Sequence, residues 1–237
     1  MFKQLAKRTF QYYGDEIFAF YDALAAYPIE GKTVIVWGLA GCNCEAIALF
    51  YKAAKVFVID YNKPVCEHPN IEVLSHEELK NSGIVADVAF SYSSFEHDGL
   101  GRYGDPISPS GDLRAMGEAR EFLADGGLLF LGVPMGQDCL VWNAHRIYGK
   151  IRLPMLLKGF RAEDVFDKYG VHSGEYPFDL PLGISRQSVL VCRKIGADYP
   201  TDLAAKTGAQ GSGKTHRPDI LARINRAVLE YKQNAAH

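Results

Sequence analysis

Two runs of apolar residues, joined by a glycine turn and a helical segment, organise this chain. Residues 34–36 and 56–59 are β-branched or aromatic without alternation, which is typical of strands buried on both faces. Between them, from Glu45 onward, apolar residues recur at the spacing of a helix. The first run leads into the turn Gly38-Leu39-Ala40-Gly41, and Asp60 ends the second. The pattern predicts a β-α-β unit.

The alternation of strands and helices continues beyond this unit. Further strands are predicted at residues 71–74, 85–90 and 128–133, and helices at residues 77–81 and 112–123. Ser75 and Glu78 form a capping-box pattern at the start of the first of these helices. Strands that alternate with helices imply a parallel sheet with right-handed crossovers. The expected fold is therefore an α/β, Rossmann-like, doubly wound and mostly parallel sheet.

The remaining segments complete the predicted organisation. Residues 134–159 indicate an irregular connection, residues 161–169 a helix, and residues 186–193 a last strand that can join the sheet antiparallel. We expect an N-terminal helical segment (1–30), the α/β domain (31–196), and a linker with a C-terminal helix (197–237). The apolar stripe of the N-terminal segment predicts a helix packed on the sheet edge, with a substrate lid or a homodimer face as alternatives.

Composition and charge limit the classes of partner. The 237 residues carry a formal net charge of −2, so no basic surplus is available to hold a nucleic acid backbone. No apolar run approaches the roughly 20 residues of a membrane span, and the N-terminus lacks a signal peptide pattern. Five cysteines in a chain without an export signal indicate a reducing compartment. We therefore expect a cytoplasmic protein with neither a nucleic acid partner nor a membrane span.

The turn after the first strand and the acid after the second are candidate binding elements. Gly38 and Gly41 have no Cβ, so a ligand can approach the backbone closely. Asp60, about 20 residues further on, is placed to accept hydrogen bonds from a ribose. Together they predict a nucleoside site. The turn does not match G-x-G-x-x-G, so an ordinary strand-turn-helix corner remains the alternative.

Polar side chains also collect after the fourth and fifth predicted strands. They include Ser91, Ser93, Glu96, His97, Asp98, Arg102, Tyr103 and Asp105 after the fourth strand, and Asn143, His145 and Arg146 after the fifth. In an open parallel sheet, ligands bind outside the carboxyl ends of the strands. Each residue alone also fits a structural role, as a core histidine or an ion-pair partner. Their convergence at one crevice predicts an active site.

Two other motifs resemble functional patterns, a P-loop and a zinc site, but their sequence context does not support either function. Residues 208–215, GAQGSGKT, match the phosphate-binding P-loop pattern, but no buried strand precedes them and only a helical tail follows. Cys42 and Cys44 have C-x-C spacing rather than the C-x2-C of structural zinc sites. We therefore predict neither an ATPase nor a metal site.

Two stretches of the chain resemble class I S-adenosylmethionine (SAM)-dependent methyltransferases. Residues 87–97, DVAFSYSSFEH, resemble a fourth strand that ends near a Glu-His pair. Residues 118–131 resemble the helix, turn and fifth strand that follow it. More narrowly, EHDGLGRYGDPISPSGDLRAM, LLFLGVPMG and NAHRIYGKIRLP look like DUF268, a family of unknown function with a methyltransferase-like fold. The similarity extends over residues 31–192.

The resemblance implies a cofactor site for SAM. It implies Gly38 and Gly41 beneath the methionine part, Asp60 at the ribose, Tyr61 near the adenine, and Ser91 and Ser93 at the methionine end. Two departures keep a non-catalytic relative open as an alternative. Trp37 stands where these enzymes usually carry an acid, and Leu39-Ala40 breaks the G-x-G spacing.

Methyl transfer to a hydroxyl benefits from a general base within hydrogen-bond reach. A histidine with its ordinary pKa of about 6.5 suits this task, so His97 is the first candidate and His145 the second. Glu96 or Asp98 could orient the base. Arg102 and Arg146 could clamp an anionic acceptor.

The expected function is O-methylation of a small polar acceptor, such as a sugar or phosphosugar, by a SAM-dependent methyltransferase. The expected substrate site comprises Asp98, Arg102, Tyr103, Asn143 and Arg146. One alternative is a non-catalytic methyltransferase-like domain that binds or scaffolds. A dehydrogenase on the same β-α-β unit is disfavoured because the turn lacks the dinucleotide pattern.

Overall fold

A computed structural model describes residues 14–38, 44–61, 63–168 and 177–196, together with positions 3, 5, 7, 224–226 and 228. The strands are β1 (Thr33–Trp37), β2 (Lys55–Ile59), β3 (Ile71–Leu74), β4 (Ala86–Tyr92), β5 (Leu123–Gly136), β6 (Cys139–Val141), β7 (His145–Ile147), β8 (Phe160–Phe166) and β9 (Ser185–Lys194). The α-helices are α1 (Phe18–Ala26), α2 (Cys44–Phe50), α3 (His76–Ser82), α4 (Gly111–Glu121) and α5 (Arg152–Leu156). Short 3-10 helices cover Gly14–Ile17, Phe95–His97 and Pro177–Asp179.

Seven of these strands form one sheet in the order β3-β2-β1-β4-β5-β9-β8, and β6 and β7 form a separate hairpin. Neighbouring strands from β3 through β5 are parallel, whereas β9 pairs antiparallel with both β5 and β8. The predicted α/β sheet and its antiparallel last strand are therefore confirmed. Strand order reverses between β1 and β4, so a crevice is expected at their carboxyl ends.

Burial on both faces explains the unbroken apolar runs. Along β1, Val34 and Val36 belong to one buried cluster, and Ile35 and Trp37 belong to the other, on the opposite face of the sheet. Helix α1 covers the first face, where the ring of Phe20 packs edge-on against aromatic residues of β4 and β5. Helix α1 therefore packs on one face of the sheet from the edge strand β8 across β9 to β5, so it covers the interior of the sheet as well as the expected edge. The predicted capping box of α3, Ser75 with Glu78, is confirmed.

Two predictions for the last third of the chain are wrong. The helix expected at residues 161–169 is instead the edge strand β8, and a bulge between Ala162 and Asp164 interrupts its alternating pattern. The connection expected to be irregular contains the end of β5, the β6–β7 hairpin and helix α5. Asn225 hydrogen-bonds the backbone N–H and carbonyl of Ala162 at 3.0 and 2.9 Å and so completes the outer edge of β8.

The C-terminal segment is described only in part. Ile224 and Val228, four residues apart and so on one face of a helix, are buried in the same cluster as Ile35 and Trp37. The linker and the P-loop-like residues 208–215 lie outside the described residues. Within the described ranges, no helix has the length and apolar character needed to cross a membrane.

Candidate active site

A cavity of about 740 Å³ lies at the carboxyl ends of β1, β2 and β4, within the size range of small-molecule sites. The sequence-predicted residues that line it are Gly38, Asp60, Tyr61, Ser93, His97, Asp98, Tyr103 and Asp105. The chain thus brings the candidate cofactor residues and the candidate base to one space. Gly41 lies outside the described residues.

The floor of the cavity is formed by the residues that follow β1. Gly38 has a φ of 80°, and a Cβ there would collide with the Oγ of Ser94. The protein's own packing therefore requires glycine at this position. Trp37 is 3% exposed, and its ring lies 5.7 Å from that of His76 and 6.1 Å from that of Phe95. Its Nε1–H has no hydrogen-bond partner in the described part of the chain.

One wall carries a ring stack that the sequence analysis did not identify. The rings of Tyr61 and His76 are stacked with centroids 4.5 Å apart. The Nδ1 atom of His76 lies 3.1 Å from the carboxylate of Glu118 on α4. Burial, and then the negative charges of nearby carboxyl groups, raise the pKa of Tyr61. The sequence signal for His76 is its place just after the N-cap of α3, which puts it at the same edge as the strand ends.

The segment after β4 holds three consecutive ionisable residues, Glu96, His97 and Asp98, which we call the reactive cluster, and the last two line the cavity. The Nδ1 atom of His97 lies 2.5 Å from the carbonyl oxygen of Ala144. A carbonyl only accepts, so Nδ1 carries the hydrogen, and in the neutral ring the Nε2 atom keeps its lone pair. Burial lowers the pKa of His97. The imidazole is therefore neutral at pH 7 and able to accept a proton.

Two carboxyl groups of the reactive cluster also titrate near neutrality. Glu96 is fully buried, and burial raises its pKa to about 7. Its Oε1 atom accepts a hydrogen bond of 2.8 Å from Ser93 and lies 3.8 Å from the Nε2 atom of His97, whereas Oε2 has no partner among the described residues. Burial, and then the charge of Asp105, raise the pKa of Asp98 to about 7. Such clustering of shifted groups is typical of functional sites.

The loop after the reactive cluster is shaped by Asp105. Its carboxylate accepts the backbone N–H groups of Gly99, Gly101 and Tyr103 at 2.6, 3.2 and 3.3 Å. Burial works against ionisation of Asp105, but these donors outweigh it and lower the pKa. The folded loop sets the ring of Tyr103 edge-on to that of His97, with centroids 5.5 Å apart.

A second group of polar residues lies behind this loop, and we call it the structural cluster; it consists of the buried Asp112, Arg146 and Tyr148 and the partly exposed Arg152. Asp112 accepts hydrogen bonds from Arg152 at 2.6 and 2.8 Å and from the Tyr148 hydroxyl at 3.1 Å. The guanidinium of Arg146, 4% exposed, donates to the carbonyl oxygens of Asp98 and Ser108 at 2.6 and 3.2 Å. These contacts correct the assignment of Arg146 as a substrate clamp, because its donors are already engaged inside the protein.

Five other predicted site residues do not line the cavity. Ser91 is fully buried within β4, so the structure does not place it at the methionine end of a ligand. Glu96 lies behind the wall. The ring of His145 is 6.5 Å from that of His97, and Arg102 lies over the Tyr103 ring at 5.9 Å. Arg102 and Asn143 are exposed. Among the described residues, no three His, Cys, Asp or Glu side chains are grouped to hold a metal ion.

The strand order and the cavity at the carboxyl ends of β1, β2 and β4 define a class I methyltransferase-like fold. Among solved structures, the segment of StiE called O-MT is similar, with a TM-score of 0.53 and 12% identity over 90% of this chain and 79% of that one. A protein from Streptococcus thermophilus described as a candidate hemolysin is similar too, with a TM-score of 0.51 and 13% identity over 96% of this chain and 78% of that one. At such identities the likeness shows the fold alone.

The sequence itself places the chain in a family. Residues 31–181 match the model of the family described as "Caenorhabditis protein of unknown function, DUF268", and the chain belongs to this family. No curated protein matches it.

Proposed function

We propose that this protein is a SAM-dependent methyltransferase that transfers a methyl group to a hydroxyl of a small polar acceptor, a sugar or a phosphosugar. One observation carries the proposal. A neutral histidine with an unprotonated Nε2 atom lines the same cavity as the candidate cofactor residues Gly38, Asp60 and Tyr61. A hydroxyl acceptor must lose its proton during transfer, and this atom is suited to accept it.

The cofactor side of the cavity offers groups that suit an adenosine. The stacked rings of Tyr61 and His76 provide a flat surface for a base, and Asp60 follows β2 where a ribose is bound in related folds. The volume of about 740 Å³ accommodates a nucleoside together with a sugar. Bound SAM would supply an electrophilic methyl carbon on a sulfonium.

The reactive cluster would handle the proton. The hydroxyl proton of the acceptor passes to the Nε2 atom of His97, which makes the imidazole cationic. The carboxyl group of Glu96, 3.8 Å from that atom, then stabilises the cation when it is ionised. Burial lowers the pKa of His97, so the imidazole is neutral at the start of each transfer at pH 7. Acceptor binding would be completed by Asp98 and Tyr103, which also line the cavity.

The test is transfer of a labelled methyl group from SAM to a panel of sugars and phosphosugars. We expect His97→Ala to lower the transfer rate by about 10²- to 10⁴-fold, the usual contribution of a positioned base. SAM affinity, measured by calorimetry, should stay unchanged. His68→Ala is the matched control, since His68 is exposed and does not line the cavity. Equal rates of methyl transfer by the wild type and the His97 variant would show that His97 is not the general base.

A non-catalytic methyltransferase-like binding domain is the second candidate, and Trp37 favours it. Trp37 stands at the end of β1, at the position where class I methyltransferases usually carry an acid. Calorimetry discriminates between the two. The absence of SAM binding at about 1 mM, a very weak affinity, would favour the binding domain.

A further inference from the structure

A group of exposed apolar side chains surrounds a groove beside the active site. Ile107, Leu140, Trp142 and Ile151 are between 53% and 71% exposed. All four line a groove of about 440 Å³, separate from the cavity described above. Single exposed apolar residues are ordinary on protein surfaces, but a contiguous set usually marks a binding site.

The groove adjoins the loop that follows the reactive cluster. Gly99, two residues after His97, lines both the groove and the cavity. On the other side, Leu140 and Trp142 belong to the β6–β7 hairpin, whose Ala144 carbonyl holds the Nδ1 atom of His97. A molecule that occupies the groove therefore lies within a few residues of the candidate base.

The charged groups in the groove are already paired within the protein. Arg152 is bonded to Asp112, and Arg146 donates to backbone carbonyls. The carboxylate of Asp138 accepts the backbone N–H groups of residues 149, 151 and 152 at 2.8 to 2.9 Å. The groove thus offers apolar surface without a charge for a ligand to neutralise, and its volume is that of a small-molecule site rather than a protein interface.

We propose that this groove binds an uncharged hydrocarbon chain of the acceptor, so that the acceptor is an amphipathic molecule of glycolipid type. Its hydroxyl-bearing head lies in the cavity at His97, and its chain lies along Trp142 and Leu140. The placement of the head rests on the proposed function. The hydrocarbon site stands on the groove itself.

The test measures binding of n-octyl and n-hexyl β-D-glucopyranoside, both below their micelle-forming concentrations, by tryptophan fluorescence. Trp37 is buried and Trp142 is 63% exposed, so covering the groove should shift the emission of Trp142 to shorter wavelength. Transfer of a methylene group from water improves affinity about fourfold, so the octyl compound, with two more methylene groups, should bind about 15-fold more tightly than the hexyl compound. D-glucose should cause no shift, and Trp142→Phe should abolish it.

A charge placed in the groove provides the matched comparison. Leu140→Asp should weaken octyl glucoside binding at least tenfold, as measured by calorimetry, since the chain would then cover a carboxylate. Leu182→Asp is the control, because Leu182 is 68% exposed and lies outside the groove. Equal binding by both variants would overturn the proposal, as would a concentration-dependent dimer that Leu140→Asp dissociates. If the protein binds octyl glucoside but not SAM, the proposed methyltransferase function is wrong and the proposal of a hydrocarbon site in the groove is retained.

Discussion

The reactive cluster and the structural cluster are both buried, charged and close to the same loop, yet they differ in how their charges are compensated. In the structural cluster, Asp112 is fully buried and bonded to Arg152 and Tyr148, with Arg146 within 3.7 Å. In the reactive cluster, Glu96 has one carboxyl oxygen without a partner among the described residues. Its pKa is raised to about 7, because burial disfavours the charged form.

The difference separates a group that holds the fold from one that can exchange protons. The carboxylate of Asp112 lies beside two arginines, so loss of its charge would leave those cations uncompensated. Glu96 has only a hydroxyl donor and the nearby imidazole, so gaining a proton costs it little. Burial alone therefore does not identify a functional carboxyl group. The partners of its oxygens do.

The largest effect is expected from removing the charge of the structural cluster. Asp112→Asn leaves the buried Arg146 and the partly exposed Arg152 without a counter-charge, and breaking a buried pair in this way costs about 3–5 kcal/mol. The free energy of unfolding, measured in urea, should fall by that amount. For a chain of this size the midpoint of thermal unfolding should fall by about 10 °C.

The matched control for this variant is a surface carboxylate. Asp179 pairs with Lys150 at 3.3 Å, and both side chains are more than half exposed. Asp179→Asn should change stability by less than about 1 kcal/mol, because water screens such a pair. Similar losses for the two aspartates would mean that the structural cluster does not hold the fold as its contacts indicate.

Removing the carboxylate charge of Glu96 is expected to raise the free energy of unfolding, opposite to the effect at Asp112. Its pKa is raised from an ordinary 4.5 to about 7, so the folded state binds a proton more tightly than the unfolded state. Stability should therefore fall as pH rises from about 4.5 to about 7, and then level off. Glu96→Gln resembles the protonated form, so it should be more stable than the wild type by about 3 kcal/mol at pH 8 and equal to it at pH 4.

Urea unfolding of both proteins across this pH range checks the prediction. Asp98, whose pKa is also raised to about 7, should leave a residual pH dependence in the Gln variant. A Gln variant less stable than the wild type at pH 8 would show that the ionised carboxylate is favoured in the folded protein. The two clusters would then not differ in the way described above.

The parallel half of the fold was predictable because burial on both faces leaves unbroken apolar runs, as in β1 and β2. Strand β8 was not, because it has an edge position and a bulge between Ala162 and Asp164. The bulge shifts the alternation by one residue, and the charged side chains of an edge strand resemble those of an exposed helix face. The β6–β7 hairpin, with three residues in each strand, is too short to show a period.

For the candidate site, the sequence allowed us to predict which residues follow the strands, but not which side chains contact one another. Placement after β2 and β4 was enough to select Asp60 and His97, because that position depends on topology alone. The different roles of two arginines could not be predicted, because they depend on side-chain contacts. Arg102 and Arg146 look alike in sequence, yet the first is exposed and the second is 4% exposed and bonded to the backbone. His76 and Glu118 meet across two helices, and no local pattern in the sequence relates them.

The smallest effect, and the one that links the two clusters, is expected at Arg146. Its Nη1 atom donates to the carbonyl oxygens of Asp98 and Glu96 at 2.6 and 3.4 Å, so the structural cluster holds the backbone of the reactive cluster. Arg146→Lys keeps the charge but loses the fork of donors. We expect a stability loss of about 1–2 kcal/mol and a five- to tenfold lower rate of methyl transfer, with a changed pH at which His97 titrates.

Arg152→Lys is the control that separates an effect on overall stability from an effect on the backbone of the reactive cluster. Arg152 bonds to the same Asp112, but its other acceptor is the carbonyl of Pro109, and it makes no hydrogen bond to residues 96–98. It should lose a similar amount of stability, because it also gives up a bidentate contact with a buried carboxylate. Its rate of transfer and the NMR titration of His97 should match the wild type. If both lysine variants alter the titration of His97 equally, the cluster acts through general stability and not through the backbone of the reactive cluster.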